Sequence, residues 1–344
     1  MNNLKKIGVS ALAGSLVAVA ANAGELSVSG SANLTYTNED LSNSASTPSN
    51  STGNPFGSAS DLTFKGSGDV NGMTVSFFAA FDAGGASYAS NSMTVDMGDM
   101  GKIKFDQGVG GNGVESIDDK SPTAWEESWD GIAAGDGLNT TGSQNVFSYT
   151  GTFAGFGVAA AWDTEIDDAR TAAGDTSANA QATVVDGSNT SFAITNATLV
   201  DGLNFGVGMG ETDIKDGQAT TTDIETVIGY ANYTVGPVTL GYTQGEQSGG
   251  TVGSDMHAME AYGIVFNVNE NLSVSFNNHE VKYKKTSGTG TTVNKDYSSD
   301  KDGIAIAYSM GGASVKLQQN ESSGNSSSST YAEDRTEVNL SLAF

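Results

Sequence analysis

Hydrophobic and polar residues alternate with a period of two along most of the chain. At the carboxyl terminus, Val338, Leu340, Leu342 and Phe344 share one face, and the residues between them are polar or small. A period of two is typical of a β-strand that has one apolar face and one polar face. The pattern recurs in 16 segments, at residues 26–36, 62–65, 73–81, 93–97, 102–106, 146–150, 156–162, 191–199, 203–209, 226–235, 238–243, 262–268, 272–276, 304–308, 313–318 and 335–344.

The connections between these segments alternate between short turns and long polar stretches. Asn71-Gly72 is a strong two-residue hairpin signal because both positions of such a turn require a positive φ. Gly236-Pro237 and Gly311-Gly312 are equally short, whereas the stretches at 38–60 and 108–143 are long. This alternation predicts a transmembrane antiparallel β-barrel of about 16 strands, with short periplasmic turns and long external loops. A closed barrel also leaves no unpaired strand edge in lipid.

Aromatic residues lie near the ends or on the apolar faces of the predicted strands, as in the interfacial girdle of a membrane barrel. They are Tyr36, Tyr149, Trp162, Tyr230, Tyr233, Tyr242, Tyr262 and Tyr308.

Residues 1–23 have the three parts of a secretory signal peptide: Lys5 and Lys6, an apolar stretch at 7–20, and Ala21-Asn22-Ala23 as a cleavage site. The apolar stretch is shorter than the roughly 20 residues that a membrane-spanning helix needs. We therefore predict a mature single-domain barrel at 24–344. Export together with a closing strand that ends at Phe344 predicts assembly into a bacterial outer membrane.

Composition narrows the functional classes. The chain has no cysteine, two histidines (His257 and His279), 45 glycines and 4 prolines. Without the signal peptide, 13 basic residues face 40 acidic ones, a net charge of −27. Such a chain repels nucleic acid and concentrates cations. We expect no catalytic residues, no bound cofactor and no metal centre. Calcium in a loop stays open, since Asp167-Asp168 and Asp300-Lys301-Asp302-Gly303 offer oxygen ligands without full EF-hand spacing.

The stretch at 108–143 interrupts the strand pattern after the fifth predicted strand. Its length and its two tryptophans, Trp125 and Trp129, indicate a packed functional loop. Gly108-x-Gly110-x-x-Gly113 matches a dinucleotide fingerprint but lacks the βαβ context, so the glycines indicate a flexible start of the loop.

With its signal peptide, about 16 alternating strands, long third external loop and terminal Phe344, the chain resembles the general diffusion porins of Gram-negative bacteria. It lacks the Pro-Glu-Phe-Gly-Gly motif that enterobacterial members carry in this loop, which favours an alphaproteobacterial or marine type. The resemblance implies that the third loop folds into the barrel and narrows the pore, that acidic loop residues face basic wall residues, and that the barrels form homotrimers.

Strand parity and charge predict the residues of such a constriction. Lys65, Lys102, Lys104 and Asp106 have the parity of the polar face and should line the pore wall. Acidic loop residues across from them would set up a transverse field that orients polar solutes. The predicted acidic side consists of Glu115, Asp118, Asp119, Glu126, Glu127 and Asp130.

The function predicted from these features is passive diffusion of small hydrophilic solutes and ions, with a preference for cations, through a lumen lined by Ser, Thr, Asn and acidic residues. The partners are outer-membrane lipid and, through the carboxy-terminal strand, the barrel assembly machinery. The alternatives are a substrate-specific outer-membrane channel, a barrel hydrolase, and a secreted acidic surface or adhesive β protein.

Overall fold

The chain folds into one antiparallel sheet. The computed structural model describes residues 24–43, 46–50, 54–82, 87–132, 138, 144–163, 186–214, 221–251, 256–284, 297–324 and 332–344. The predicted signal peptide at 1–23 and the acidic pair Asp167-Asp168 lie outside these ranges. The strands are β1 (Leu26–Asn43), β2 (Ser46–Asn50), β3 (Phe56–Val70), β4 (Met73–Asp82), β5 (Ser87–Asp96), β6 (Lys102–Gln107), β7 (Gln144–Phe153), β8 (Phe156–Asp163), β9 (Asp186–Asn196), β10 (Leu203–Ile214), β11 (Thr221–Val235), β12 (Val238–Thr251), β13 (Met256–Asn269), β14 (Leu272–Lys284), β15 (Tyr297–Met310), β16 (Ala313–Ser323) and β17 (Ala332–Ala343).

The sheet closes on itself between its first and last strands. β1 pairs with β3 on one side and with β17 on the other, with Leu34 opposite Leu340. Two backbone hydrogen bonds join Gly30 and Phe344, at 2.7 and 3.0 Å. The short strand β2 pairs only with the end of β1 within the described residues, so the other strands form a closed barrel of 16. The predicted fold class is confirmed.

Short turns connect alternate strand pairs at one end of the barrel. Asn71 and Gly72 have φ values of 55° and 82°, as the predicted hairpin requires. Between β5 and β6 the chain makes a single 3₁₀ turn, Gly98–Met100. The strand predicted at 191–199 ends earlier, at Asn196, because the Asn196 side chain accepts hydrogen bonds from the backbone N–H groups of Thr198 and Leu199.

The two faces of the wall differ in polarity. Val207 and Met209 are each 60% exposed on the outer face of β10, while the intervening Gly208 points inward and is buried. Large apolar side chains exposed on every side of a barrel are the mark of a surface that lies in lipid. No helix within the described ranges is long and apolar enough to cross a membrane.

One member of the predicted aromatic girdle is wrongly placed. Tyr230 is 6% exposed on the inner face of β11, where its hydroxyl donates to Asn204 Oδ1 at 3.0 Å. The hydrophobic pattern gave the wrong face because the small residues Gly229 and Ala231 lie on the outer face of this part of β11. The bulkier residues Ile228 and Tyr230 lie on its inner face.

Gly101 provides a test of the turn between β5 and β6. Its φ of 87° and ψ of −164° lie in a region that is almost restricted to glycine. A Cβ there would also lie 2.5 Å from the Thr150 carbonyl oxygen. We expect Gly101→Ala to lower the free energy of unfolding by about 1–3 kcal/mol, measured by urea titration of detergent-refolded barrel.

The matched control for this variant is Gly98→Ala in the same turn. Gly98 also has a positive φ, 66°, but its Cβ would meet no atom within 4 Å. Its cost should therefore be smaller than that of Gly101→Ala. An equal fall in the free energy of unfolding in the two variants would show that steric contact with Thr150 contributes nothing to the effect of Gly101→Ala.

Candidate functional site

The long loop begins at a buried carboxylate. Asp106, at the end of β6, has no exposed surface. Its carboxylate accepts hydrogen bonds from the backbone N–H groups of Val109 and Gly110, at 2.8 and 3.0 Å, and from Asn112 Nδ2 at 2.8 Å. Lys104 Nζ lies 2.8 Å from Asp106 Oδ2 and donates to the Gly110 carbonyl oxygen at 2.8 Å. This ion pair therefore sets the direction in which the loop leaves the wall.

The next segment is a short 3₁₀ helix, Gly113–Ile117, that begins with a capping box. Glu115 Oε2 accepts a hydrogen bond from the Asn112 backbone N–H at 3.1 Å. Burial raises the pKa of Glu115 from its ordinary value. Gly113 packs where a Cβ would lie 2.9 Å from Ala161 Cβ, so its glycine allows close packing against the wall.

This helix packs on an apolar patch of the inner face of the wall. Val114 and Ile117 are fully buried and join one cluster with Leu138 and with wall residues of β9 to β14. The sequence predicts an inner face of Ser, Thr, Asn and acidic residues, but the wall is apolar here because the loop covers it. The wall members of the cluster are Ala193, Ile228, Tyr230, Met259, Ala261, Val281 and Tyr283.

Wall glycines make room for the loop. A Cβ at Gly208 would lie 2.9 Å from Ile117 Cδ1, and one at Gly263 would lie 2.5 Å from the Pro122 carbonyl oxygen. A Cβ at Gly303 would lie 2.8 Å from Ser128 Cα. Glycine at these positions lets the loop backbone approach the wall closely.

The far part of the loop is fixed by wall amides and an arginine. Gln318 Nε2 donates to the Glu127 carbonyl oxygen at 2.7 Å, and Asn320 Nδ2 donates to the Asp130 carbonyl oxygen at 3.0 Å. Arg335 Nη1 donates to the Gly131 carbonyl oxygen at 3.0 Å. The loop is thus held to β16 and β17 through its own backbone, which leaves its acidic side chains free of this anchoring role.

Two aromatic contacts add to this attachment. The Trp129 ring lies 4.4 Å from the ring of His279, measured between centroids. Lys316 Nζ lies 5.6 Å from the centroid of Trp125. His279 and Lys301 are fully buried, with Lys301 Nζ 3.3 Å from His279 Nδ1. This histidine is therefore part of the wall contact of the loop.

Three of the predicted acids form a group beside two cations that sequence analysis did not single out. Burial raises the pKa of Glu127 to about 7, and the carboxylates of Asp119, Glu126 and Asp130 contribute to the rise. Burial, with repulsion from Asp130, also raises the pKa of Glu126, while the charge of Lys316 opposes the rise.

Asp130 completes this group. Burial raises its pKa, and the charge of Arg335 opposes the rise. Arg335 Nη2 also lies 2.6 Å from Glu337 Oε2 on β17. The sequence contains a signal for these two cations. Lys316 and Arg335 each lie at the alternate positions that are polar in their strands, which places both side chains on the inner face.

The other predicted residues lie in separate places. Lys104, Asp106 and Glu115 are together at the start of the loop. Lys102 is near the short-turn end, with its Nζ 2.9 Å from Asp96 Oδ2. Lys65 lies in a cavity of its own on β3. Asp118 follows the short helix and its side chain accepts from the Asp119 backbone N–H at 3.0 Å. Asp119 itself lies close enough to the acidic group for its charge to raise the pKa of Glu127.

Two further acidic sites have no role in this geometry. Asp300 and Asp302 each accept a hydrogen bond from Asn278 Nδ2, both at 3.0 Å. Glu211, Asp213 and Asp223 are exposed and their carboxylate oxygens lie within 4.8 Å of one another. Exposed acidic groups of this kind are common without a bound ion.

Packing of the loop against the wall generates a prediction. Gly263→Ala would place a methyl group 2.5 Å from the Pro122 carbonyl oxygen and 2.8 Å from Ser121 Oγ. We expect the barrel to fold and the free energy of unfolding, measured by urea titration of the refolded barrel, to fall by about 1–3 kcal/mol because of overpacking.

The control is Gly229→Ala on the outer face of β11, where a Cβ would make ordinary contacts at 3.4 Å. It should leave the free energy of unfolding nearly unchanged. A Gly263→Ala barrel with unaltered stability would contradict the close packing of Pro122 on β13.

Comparison with known proteins relates this fold to solved barrels. No protein-family model matches the chain, and no curated protein matches it by sequence. Among solved structures, OmpF of Salmonella typhi in complex with daunomycin is 14% identical, with a TM-score of 0.64 over 93% of this chain and 98% of that one. A porin refined at 1.8 Å is 16% identical, with a TM-score of 0.62 over 93% and 100%.

A third solved structure is the trimer form of OmpT, an outer membrane protein of Vibrio cholerae. It is 13% identical, with a TM-score of 0.60 over 94% of this chain and 100% of that one. At these identities the likeness concerns the fold alone. The chain therefore has the fold of solved porin barrels along almost its whole length.

Proposed function

We propose that the protein is an outer-membrane porin, a water-filled channel through which small hydrophilic solutes and ions diffuse passively, with a preference for cations. The observation that carries this proposal is a closed barrel of 16 strands whose exposed outer face is apolar and whose inner face is contacted by a long acidic loop. The likeness to solved porins supports it. No bond is made or broken in such a function.

Residues 108–132 and Leu138 narrow the lumen in this proposal. Their contacts with inner-face residues run from Ser191 on β9 to Arg335 on β17. A segment that touches so many neighbouring strands on one face of a closed barrel must cross its interior. In this proposal solutes pass beside the wall formed by β3 to β5.

Charge at the narrow part favours cations. Glu126, Glu127 and Asp130 form the negative side, with Lys316 and Arg335 on the wall beside them. Charges that line a water-filled passage create a field that orients polar solutes. The net charge of −27 outside the signal peptide raises the cation concentration at both mouths.

The cellular setting follows from the same features. We propose that residues 1–23 are removed after export, that the barrel lies in the outer membrane of a Gram-negative bacterium, and that the carboxy-terminal strand ending at Phe344 is read by the barrel assembly machinery. Homotrimer formation is part of the proposal and is supported by the trimer form of the Vibrio cholerae neighbour.

The exposed apolar outer face argues against a secreted soluble surface protein. Side chains such as Met209 and Val207, each 60% exposed, would be costly in water on every side of the barrel. The substrate-specific channel differs from the general porin only in how tightly the lumen binds one solute.

The test is to refold residues 24–344 in detergent and record single channels in a planar bilayer under a gradient of potassium chloride. We expect stepwise openings and a reversal potential of the sign that cation preference requires. A protein that stays soluble without detergent and opens no channel would overturn the proposal.

Neutralising the acidic group should reduce cation preference. We expect Glu126→Gln with Glu127→Gln to lower the cation-to-anion permeability ratio by about a factor of two, because charges within a Debye length act on the permeating ion. Arg335→Gln should shift the ratio in the opposite direction. The control is Glu246→Gln on the outer face of β12, and an equal shift in that variant would contradict a localised constriction.

Cation preference should also depend on pH. With a pKa of about 7, Glu127 is neutral well below pH 7 and negatively charged well above it. The permeability ratio should therefore rise as pH increases through about 7, and Glu127→Gln should flatten this rise. The measurement is reversal potential at pH values on both sides of 7. A profile identical in the wild type and the variant would assign the titration to other groups.

A further inference from the structure

A cavity lies on the inner face of the wall, away from the acidic group of the loop. Its volume is about 370 Å³, and every residue that lines it belongs to β5 or to the segment from Glu25 to Phe78. Sites for small ligands have volumes of about 300–1,000 Å³, so this cavity suits a compact solute. The residues that matter for its chemistry are Lys65, Phe78 and the hydroxyl-bearing Ser27, Ser67, Ser76, Ser92 and Thr94.

Strand register brings these side chains together. Ser27 lies opposite Lys65, Lys65 opposite Phe78, and Phe78 opposite Ser92, which forms one row across four neighbouring strands. Ser76 and Thr94 are opposite each other in the adjacent row on the same face. Residues that lie directly opposite each other in a sheet have Cβ atoms about 5 Å apart. The cavity is therefore a patch of rigid wall and does not depend on the loop.

Lys65 is the basic residue among those that line the cavity. Its Nζ lies 5.8 Å from the centroid of the Phe78 ring, and it forms no ion pair within the described ranges of the chain. The other wall lysines near it differ, because Lys102 and Lys104 pair with Asp96 and Asp106. A solute with a carboxylate can therefore bind to Lys65 through charge-assisted hydrogen bonds.

Phe78 and the hydroxyl groups supply the rest of the recognition. The five hydroxyl groups that line the cavity can donate and accept hydrogen bonds, and the Glu25 carboxylate in the lining can accept them from a hydroxylated ligand. The ring of Phe78 offers an apolar face to the C–H groups of a carbon chain. A ligand that used all three features would be anionic at one end and polyhydroxylated along its length.

We propose that this cavity is a solute-binding subsite of the channel for polyhydroxylated carboxylates, such as sugar acids. The carboxylate binds at Lys65, the hydroxyl groups face the serines, Thr94 and Glu25, and the carbon chain lies on Phe78. The subsite rests on the proposed channel function and deepens it. Through this subsite, an acidic channel that prefers cations would bind one class of anion weakly and saturably.

The experiment measures block of potassium chloride current by added potassium gluconate in single channels. Acetate carries the charge without the hydroxyl groups, and sorbitol carries the hydroxyl groups without the charge. We expect gluconate to reduce the current saturably, and to do so at concentrations about tenfold lower than acetate or sorbitol, since both kinds of contact are needed.

Three variants test whether gluconate blocks the current by binding in this cavity. Lys65→Gln should weaken gluconate block by about tenfold, and Phe78→Ala by about threefold, with block expressed relative to each variant's own potassium chloride current. The control is Lys282→Gln, which removes the same charge from the outer face of β14, where Lys282 pairs with Glu280 at 3.0 Å. Its gluconate block should match that of the wild type.

The outcomes separate the subsite from the channel. Normal potassium chloride currents with equal effects of gluconate, acetate and sorbitol would overturn the subsite and leave the channel in place. Gluconate block that persists in Lys65→Gln would overturn it as well. A refolded protein that opens no channel in potassium chloride would overturn both the channel and the subsite.

Discussion

Pairing between the first and last barrel strands is the constraint on which the rest of the structure depends. A sheet in lipid cannot leave backbone N–H and C=O groups unpaired, so it must close. Here closure is made by β1 and β17, with Gly30 and Phe344 hydrogen-bonded to each other at the end of the register. Once the sheet is closed, inner and outer faces are defined for every strand. The alternation of polar and apolar residues then becomes a division between lumen and lipid.

The inner face of the barrel has different side chains in two groups of strands. On β9 to β14 it carries apolar residues and glycines, and the loop packs there through Val114, Ile117 and Leu138. On β1 and β3 to β5 it carries serines, threonines and Lys65, and a cavity remains beside them. The described part of the loop contributes no residue to this cavity. This asymmetry places the acidic group and the Lys65 cavity in different parts of the same passage.

Polar side chains of the wall hold the loop through its backbone. Gln318, Asn320 and Arg335 bond to backbone carbonyl oxygens of the loop, and the carboxylates of Glu126 and Glu127 take no part in these bonds. Partial burial beside like charges raises the pKa of Glu127 to about 7, so part of the loop charge is set by pH. The same backbone contacts keep the acidic group within range of Lys316 and Arg335.

Local period and turn chemistry determined much of the architecture from the sequence alone. Strand number, the Asn71-Gly72 hairpin and the position of the long loop after the fifth barrel strand all follow from patterns within a few residues. The inward direction of Tyr230 did not follow, because Gly229 and Ala231 hide the alternation there. The partners of the loop acids did not follow either. Lys316 and Arg335 are about 200 residues from them, and only closure of the barrel brings strands so distant in sequence to the same lumen.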